Sequence, residues 1–215
     1  MQRETKICGI KTPEALEAAI DGGAKYIGFV FYPESPRYLS PSEAFELTRY
    51  MPMGVKAVGV FVNPDDELLE KVVNQVPLDM IQLHGNESPE RLAEIKERYG
   101  LPIIKAIPIG EKKDLTKIIP YRMIADFVLL DAKPPKNVIT TLPGGNGIAF
   151  DWHILSEISV PMPWFLSGGL NPSNVAEAIR TTKAHMLDVS SGIESRPGVK
   201  DLGLIKDFLL EVKRI

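Results

Sequence analysis

Lys6-Ile7-Cys8-Gly9-Ile10-Lys11-Thr12-Pro13-Glu14-Ala15-Leu16-Glu17-Ala18-Ala19-Ile20-Asp21-Gly22-Gly23-Ala24-Lys25-Tyr26-Ile27-Gly28-Phe29-Val30 holds two short β-rich runs with a helical pattern between them. Lys6–Cys8 reads as a strand and Tyr26–Val30 as the next. Between them, Pro13–Asp21 sets Ala15, Leu16, Ala18 and Ala19 on one helix face, with Thr12 as N-cap and Pro13 at the first helical position. The alternation continues to the end of the chain. Further strands are expected at Ala57–Val62, Met80–Leu83, Ile103–Ile107, Phe127–Leu130, Trp164–Ser167 and Met186–Val189. Helix starts recur at Ser40-Pro41-Ser42-Glu43, Pro64-Asp65-Asp66-Glu67, Ser88-Pro89-Glu90 and Asn171-Pro172-Ser173-Asn174, and a last helix runs from about Asp201 to Lys213.

Eight strands in 215 residues repeat about every 27 residues. Strand-then-helix alternation implies a parallel sheet with right-handed crossovers, and eight such units describe a (β/α)8 TIM barrel at the small end of its size range. Two segments depart from the pattern. The Asp114–Tyr121 helix is short, and Ala132–Asp151 lacks helical periodicity, holding Pro134-Pro135 and Gly144-Gly145-Asn146-Gly147. An aperiodic run of that length inside a compact fold is usually functional or mobile. An open doubly wound sheet would carry G-x-G-x-x-G after its first strand; Cys8-Gly9-Ile10-Lys11 does not. With no linker-like shift in composition, residues 1–215 read as a single barrel domain.

Composition narrows the function classes. Apolar residues make up 44% and charged residues 25%, as in an ordinary globular chain. Net charge is −3 with no basic block, so the electrostatic footprint of a nucleic-acid binder is missing. A lone cysteine, Cys8, excludes an intramolecular disulfide and suits a reducing compartment. No signal-peptide core is visible, and no apolar run approaches the roughly 18–20 residues that span a bilayer. The expectation is a cytoplasmic protein without membrane or nucleic-acid partners.

Ligands of a parallel barrel gather where strands end and βα loops begin. Cys8 ends the first strand, either as a small buried hydrophobe or as a base or nucleophile, which needs thiolate. Lys6 shares its face, two residues away, and is expected to favour that thiolate. Asp131 follows the sixth strand and could cap a turn or act as a general acid. Arg37 sits in Tyr32-Pro33-Glu34-Ser35-Pro36-Arg37-Tyr38, where two prolines stiffen a loop suited to capturing a carboxylate or phosphate. Gly168-Gly169 and Ser190-Ser191-Gly192 follow the last two strands, where barrel phosphate sites commonly lie. Asp188 is either a partnered core group or a ligand to a sugar hydroxyl. His84 ends the fourth strand and lines the mouth, whereas His153 and His185 are expected to be structural or exposed. The three histidines lack metal-ligand spacing, so no metal is expected, and with neither a P-loop nor G-x-S-x-G, nucleotide hydrolysis and serine-hydrolase chemistry lack support.

Taken in order, these segments resemble the phosphoribosylanthranilate isomerase family. The resemblance lies in Lys6-Ile7-Cys8-Gly9-Ile10, Gly28-Phe29-Val30-Phe31-Tyr32-Pro33, Ser35-Pro36-Arg37-Tyr38, Gln82-Leu83-His84-Gly85, Leu129-Leu130-Asp131 and Phe150-Asp151-Trp152. It continues through Ser167-Gly168-Gly169-Leu170-Asn171-Pro172, Asn174-Val175 and Asp188-Val189-Ser190-Ser191-Gly192-Ile193-Glu194, and so covers nearly the whole chain. It implies the cofactor-free Amadori rearrangement of N-(5-phosphoribosyl)anthranilate to 1-(2-carboxyphenylamino)-1-deoxyribulose 5-phosphate in tryptophan biosynthesis. By motif match, Cys8 takes the general-base place and Asp131 the general-acid place. Arg37 would bind the anthranilate carboxylate, and the loops at Gly168-Gly169 and Ser190-Ser191-Gly192 the phosphate, with His84 and Asp188 also among the substrate-binding residues. Asn146 departs from the family, which usually has threonine there, so no contact is carried to it.

The other readings are a different phosphate-binding barrel enzyme, such as a sugar-phosphate epimerase or indole-glycerol-phosphate synthase, and a non-catalytic barrel binding an anionic metabolite. The expected partner is a small phosphorylated substrate. The expected oligomeric state is monomer or homodimer, which the sequence does not distinguish.

Overall fold

A computed structural model describes residues 3–132, 151–155 and 160–215. Residues 144–147, like most of the aperiodic run before Asp151, lie outside the described residues. Eight strands form the fold: β1 (Glu4–Cys8), β2 (Tyr26–Val30), β3 (Lys56–Phe61), β4 (Met80–Leu83), β5 (Ile103–Ile109), β6 (Phe127–Ala132), β7 (Trp164–Leu166) and β8 (Met186–Val189). They pair in parallel in that order and close into a barrel through β1 and β8, where Lys6 stands beside Asp188 and Ile7 beside Val189.

The helices α1 (Pro13–Asp21), α2 (Pro41–Thr48), α3 (Asp66–Gln75), α4 (Pro89–Tyr99), α5 (Val175–Thr182) and α6 (Leu202–Arg214) follow their strands. Their starts are fixed by side chains. Thr12, Ser40, Asp65, Ser88 and Asp201 each accept a backbone N–H of the first turn, satisfying donors that the helix leaves orphaned. Pro13, Pro41 and Pro89 occupy first positions that need no N–H.

Three boundaries differ from the sequence expectation in ways that matter. The helix expected at Asp114–Tyr121 is a 3-10 helix over Lys112–Tyr121, with Pro120 inside it. Proline removes an intrahelical donor, so the wider α-helical ladder is not sustained. β6 runs on to Ala132, because Pro108 and Ile109 extend β5 beside it. Asp131 therefore lies within a strand rather than after one. Finally, Glu194–Arg196 (β9) and Val199–Lys200 (β10) form a small antiparallel hairpin after β8 that periodicity did not announce.

Two apolar compartments result. One lies between the ring and its helices and holds residues such as Ile7, Ile27, Phe61, Leu83, Ile107, Leu130 and Phe208. The other, inside the ring, comprises Tyr26, Val58, Met80, Ile104, Ala106, Leu129 and Phe165. Because successive strand residues point to opposite faces, this inner set also fixes which residues above it face inward.

Candidate active site

Above that inner layer, alternation turns Lys6 and Cys8 of β1, Gln82 of β4, Asp131 of β6 and Asp188 of β8 into the ring. His84 and Ser167 continue the inward faces of β4 and β7 just beyond the strand ends. All lie toward the C-terminal end, the end that carries ligands in such barrels.

Cys8 packs among Val30, Val60 and the partly buried Tyr32. Gly28 makes room for it: a Cβ there would lie 2.9 Å from Cys8 Sγ and 3.1 Å from Lys6 Nζ. Lys6 is wholly buried, and its Nζ donates to Asp188 Oδ1 at 2.8 Å. Asp188 Oδ2 accepts from Ser167 Oγ at 3.1 Å. Asp188 thus has partners of its own. Burial works against the Lys6 cation, but Asp188 and Cys8 outweigh it and hold the ammonium above its ordinary range. The sequence expectation for Cys8 needs correction. Lys6 does pull the thiol down, yet burial is the larger influence and leaves Cys8 above the ordinary thiol range.

Arg37 is buried rather than a solvated surface side chain. Its Nε donates to Glu194 Oε1 and its Nη2 to Glu194 Oε2, both at 2.8 Å, a two-point arrangement that fixes the guanidinium plane. Gly9, at φ +79°, admits the arginine stem: a Cβ there would meet Arg37 Cδ at 2.8 Å. Glu194 also accepts from Lys200 Nζ at 2.7 Å, and Lys200 reaches the Ser190 carbonyl at 2.9 Å. Burial pushes the Lys200 amine down despite Glu194. For Glu194, burial works upward, but Arg37 and Lys200 hold the carboxyl below its ordinary range. Sequence reasoning missed Lys200 and assigned Glu194 no role. A short hairpin carries both, and a buried lysine in an exposed-looking loop has no local signal.

The phosphate-loop candidates lie side by side. Gly168 and Gly169 both have positive φ, at +90° and +67°, which L side chains rarely adopt. Ser190 donates to the Cys8 carbonyl at 3.2 Å, tying the β8 loop to the end of β1. At Gly192 a Cβ would lie 1.9 Å from the Leu170 carbonyl oxygen, so the loops after β7 and β8 touch backbone to backbone there.

On the other side of the mouth, His84 Nε2 and Asp131 Oδ2 are 3.2 Å apart, and Gln82 Nε2 and His84 Nδ1 are 2.9 Å apart. The Asp131 Oδ1 accepts from the Ala132 N–H at 2.9 Å. Behind them, Lys105 points outward from β5 and hydrogen-bonds the carbonyls of Leu83 and Gly85, which flank His84. It pairs with Glu87 at 2.8 Å in nearly complete burial. Glu87 in turn accepts from the N–H groups of Asn63 and Gly85. Neither Gln82, Lys105 nor Glu87 was singled out from the sequence. His153 and His185 are exposed, His153 beside Asp151.

The arrangement thus offers a thiol and a carboxyl facing one mouth, a fixed guanidinium, and two adjoining loops whose glycines bring backbone close to backbone. Comparison with known proteins gives this set a context. The profile of the N-(5'-phosphoribosyl)anthranilate (PRA) isomerase family matches residues 5–211. A curated N-(5'-phosphoribosyl)anthranilate isomerase of Paracoccus denitrificans is 53% identical over 209 residues, covering 97% of this chain and 96% of its own. A solved phosphoribosylanthranilate isomerase in complex with reduced 1-(o-carboxyphenylamino)-1-deoxyribulose 5-phosphate superposes with a TM-score of 0.83 at 37% identity, over 100% of both chains. Monomers generated from the dimeric isomerase of Thermotoga maritima give 0.82, again at 37% identity and complete coverage of both chains. The chain belongs to the N-(5'-phosphoribosyl)anthranilate isomerase family, enzymes of tryptophan biosynthesis.

Proposed function

We propose that Cys8 and Asp131 divide the proton transfers of the family's Amadori rearrangement between them. Asp131 donates its proton to the furanose oxygen as the C1–O bond breaks, while the anilinic nitrogen pair closes the C1=N bond. Cys8, in the thiolate form that the Lys6 ammonium favours against burial, removes the C2 proton, and the electrons of that bond form C1=C2 as the C1=N pair returns to nitrogen. Tautomerisation of the resulting enol passes the Cys8 proton to C1 and the C2 hydroxyl proton to the Asp131 carboxylate. Both side chains therefore finish as they began. Each positioned group contributes about 10²–10⁴-fold, and the remainder comes from positioning and electrostatics.

The observation that carries this reading is that both groups occupy inward positions at one end of one closed ring. They stand three strands apart through β8 and β7, which suits a single sugar between them. Arg37, held rigid by Glu194, meets the anthranilate carboxylate. Gly168, Gly169, Ser190, Ser191 and Gly192 receive the phosphate, and His84 and Asp188 flank the sugar. The same reading takes residues 1–215 as one barrel domain that works in the cytoplasm without a cofactor, as monomer or homodimer.

The test is the decay of phosphoribosylanthranilate fluorescence with the parent, Cys8→Ser and Asp131→Asn proteins. Turnover should fall at least about 10²-fold in both variants with smaller changes in KM. Near-parent turnover in both would overturn the assignment.

A further inference from the structure

The Gln82–His84–Asp131 chain holds a problem in hydrogen-bond accounting. Gln82 is buried, and its Nε2 faces His84 Nδ1 at 2.9 Å, so Nδ1 accepts and the neutral ring carries its proton on Nε2. That proton then points at Asp131 Oδ2, 3.2 Å away, which accepts it, and accepts it most strongly as a carboxylate. In this arrangement Gln82 Oε1 is buried with no hydrogen-bond partner among the described residues. A buried unsatisfied acceptor is costly, and natural structures keep few of them.

Turning the amide over exchanges the two ends and puts Nε2 in the unpartnered place, so neither orientation satisfies the whole amide and the two lie close in energy. Oε1 then faces Nδ1 and accepts a proton there, and His84 Nε2 can share a hydrogen bond with a protonated Asp131. The two amide orientations thus correspond to two proton counts. With Nε2 inward the pair holds one proton, on His84. With Oε1 inward it holds two, one on Nδ1 and one between Nε2 and Asp131. A carboxyl that is to protonate the sugar must start from the second arrangement and end in the first.

We propose that His84 is the positioning residue for the Asp131 acid, and that rotation of the Gln82 amide tracks whether the His84–Asp131 pair is loaded with its second proton. The inference rests on the reading of Asp131 as the acid. The Lys105 ammonium supports it by clamping the carbonyls on both sides of His84, so the ring turns on a fixed backbone. Among the described residues, the other charged groups at this end are held elsewhere. Lys105 and Glu87 pair on the outer face of β5, Lys6 and Asp188 inside the ring, and Lys200 with Glu194 and Arg37 beyond β8. The Cys8 thiol lies on β1.

The experiment is 15N–1H spectroscopy of the three histidines as a function of pH, with His84→Asn to assign the signal, run beside kcat–pH profiles. In the parent, His84 should carry its proton on Nε2 at high pH and on both nitrogens once the pair is loaded. Gln82→Glu keeps an acceptor toward Nδ1, so loading should persist about one pH unit higher and the alkaline limb of kcat should move with it. Gln82→Met, which offers neither donor nor acceptor, should lower kcat about tenfold with KM changed less than twofold. Asp131→Asn should remove the loading step from the His84 spectrum. A His84 signal indifferent to Asp131→Asn and Gln82→Glu would overturn the inference, even where Asp131→Asn abolishes turnover and leaves the acid assignment standing. Full turnover in Asp131→Asn would remove the acid assignment, whatever His84 does in the spectrum.

Discussion

Lys6→Met isolates the charge that sits inside the ring. Methionine nearly matches the lysine stem, so little packing is lost, but Asp188 keeps only the Ser167 hydroxyl among the described residues. Both partners are almost fully buried, at 0% and 5% side-chain exposure. Removing one partner of such a pair costs about 3–5 kcal/mol, because the remaining charge is left unpaired in a poor solvent. For a chain of this size that is a loss of about 6–20 °C in Tm. Because the Lys6 pKa is raised on folding, its stabilising contribution is complete below the ordinary lysine value and fades only as pH rises through the higher folded one. The gap between parent and variant should therefore stay constant from about pH 6 to 9. Loss of the cation should also push the Cys8 thiol further up, since Lys6 is the main influence holding it down. Calorimetry reads the first effect, and thiolate ultraviolet absorbance, with Cys8→Ser as blank, reads the second. Lys6→Met combined with Asp188→Leu should regain most of the stability, because no buried charge is left unpaired. Unchanged melting and an unchanged Cys8 titration in Lys6→Met would refute the reasoning.

Glu194→Gln should lower stability at neutral pH by about 3–5 kcal/mol, since Arg37 and Lys200 lose a shared buried counter-ion. The Glu194 carboxyl is held below its ordinary value, so its contribution is present above about pH 4 and lost as pH falls through the lower folded value. Melting curves of parent and variant should accordingly converge toward pH 3; a gap that stays constant in acid would contradict this. Gly192→Ala forces a methyl to within 1.9 Å of the Leu170 carbonyl, so the loops after β7 and β8 must part by about an ångström. A misplacement of that size should lower kcat/KM about 10²-fold, visible in steady-state kinetics, and unaltered kinetics would argue against a shared phosphate seat.

Strands and helices were legible wherever burial on one or both faces wrote a continuous pattern. Met80–Leu83, Tyr26–Val30 and Met186–Val189 lie where their apolar runs put them, and the capping residues fixed most helix starts. Cys8, His84 and Asp131 were legible because strand ends in a parallel barrel converge on one mouth. Arg37 was found by its stiffened loop, but its partner was not. What stayed hidden depends on contacts between residues far apart in the chain. Lys105 looks like one lysine in an otherwise apolar strand, and only the fold places it under the turn that bears His84. Lys200 and Glu194 sit in strands of two and three residues, too short for any period to show. Gln82 alternates inward as readily as a core residue would, and its amide matters only because a histidine ring stops above it.

The seam between β1 and β8 has a consequence for how the chain is made. The first strand leaves the ribosome with one of its two neighbours still 182 residues away, and Lys6 waits equally long for Asp188. At about 5–20 residues per second, that is roughly 10–35 s during which the growing sheet has open edges and Lys6 lacks its counter-ion. A nascent chain stalled short of Asp188 therefore has two unpaired rims to offer its neighbours on a polysome, and translation of the segment between β7 and β8 is the interval in which aggregation competes most directly with ring closure.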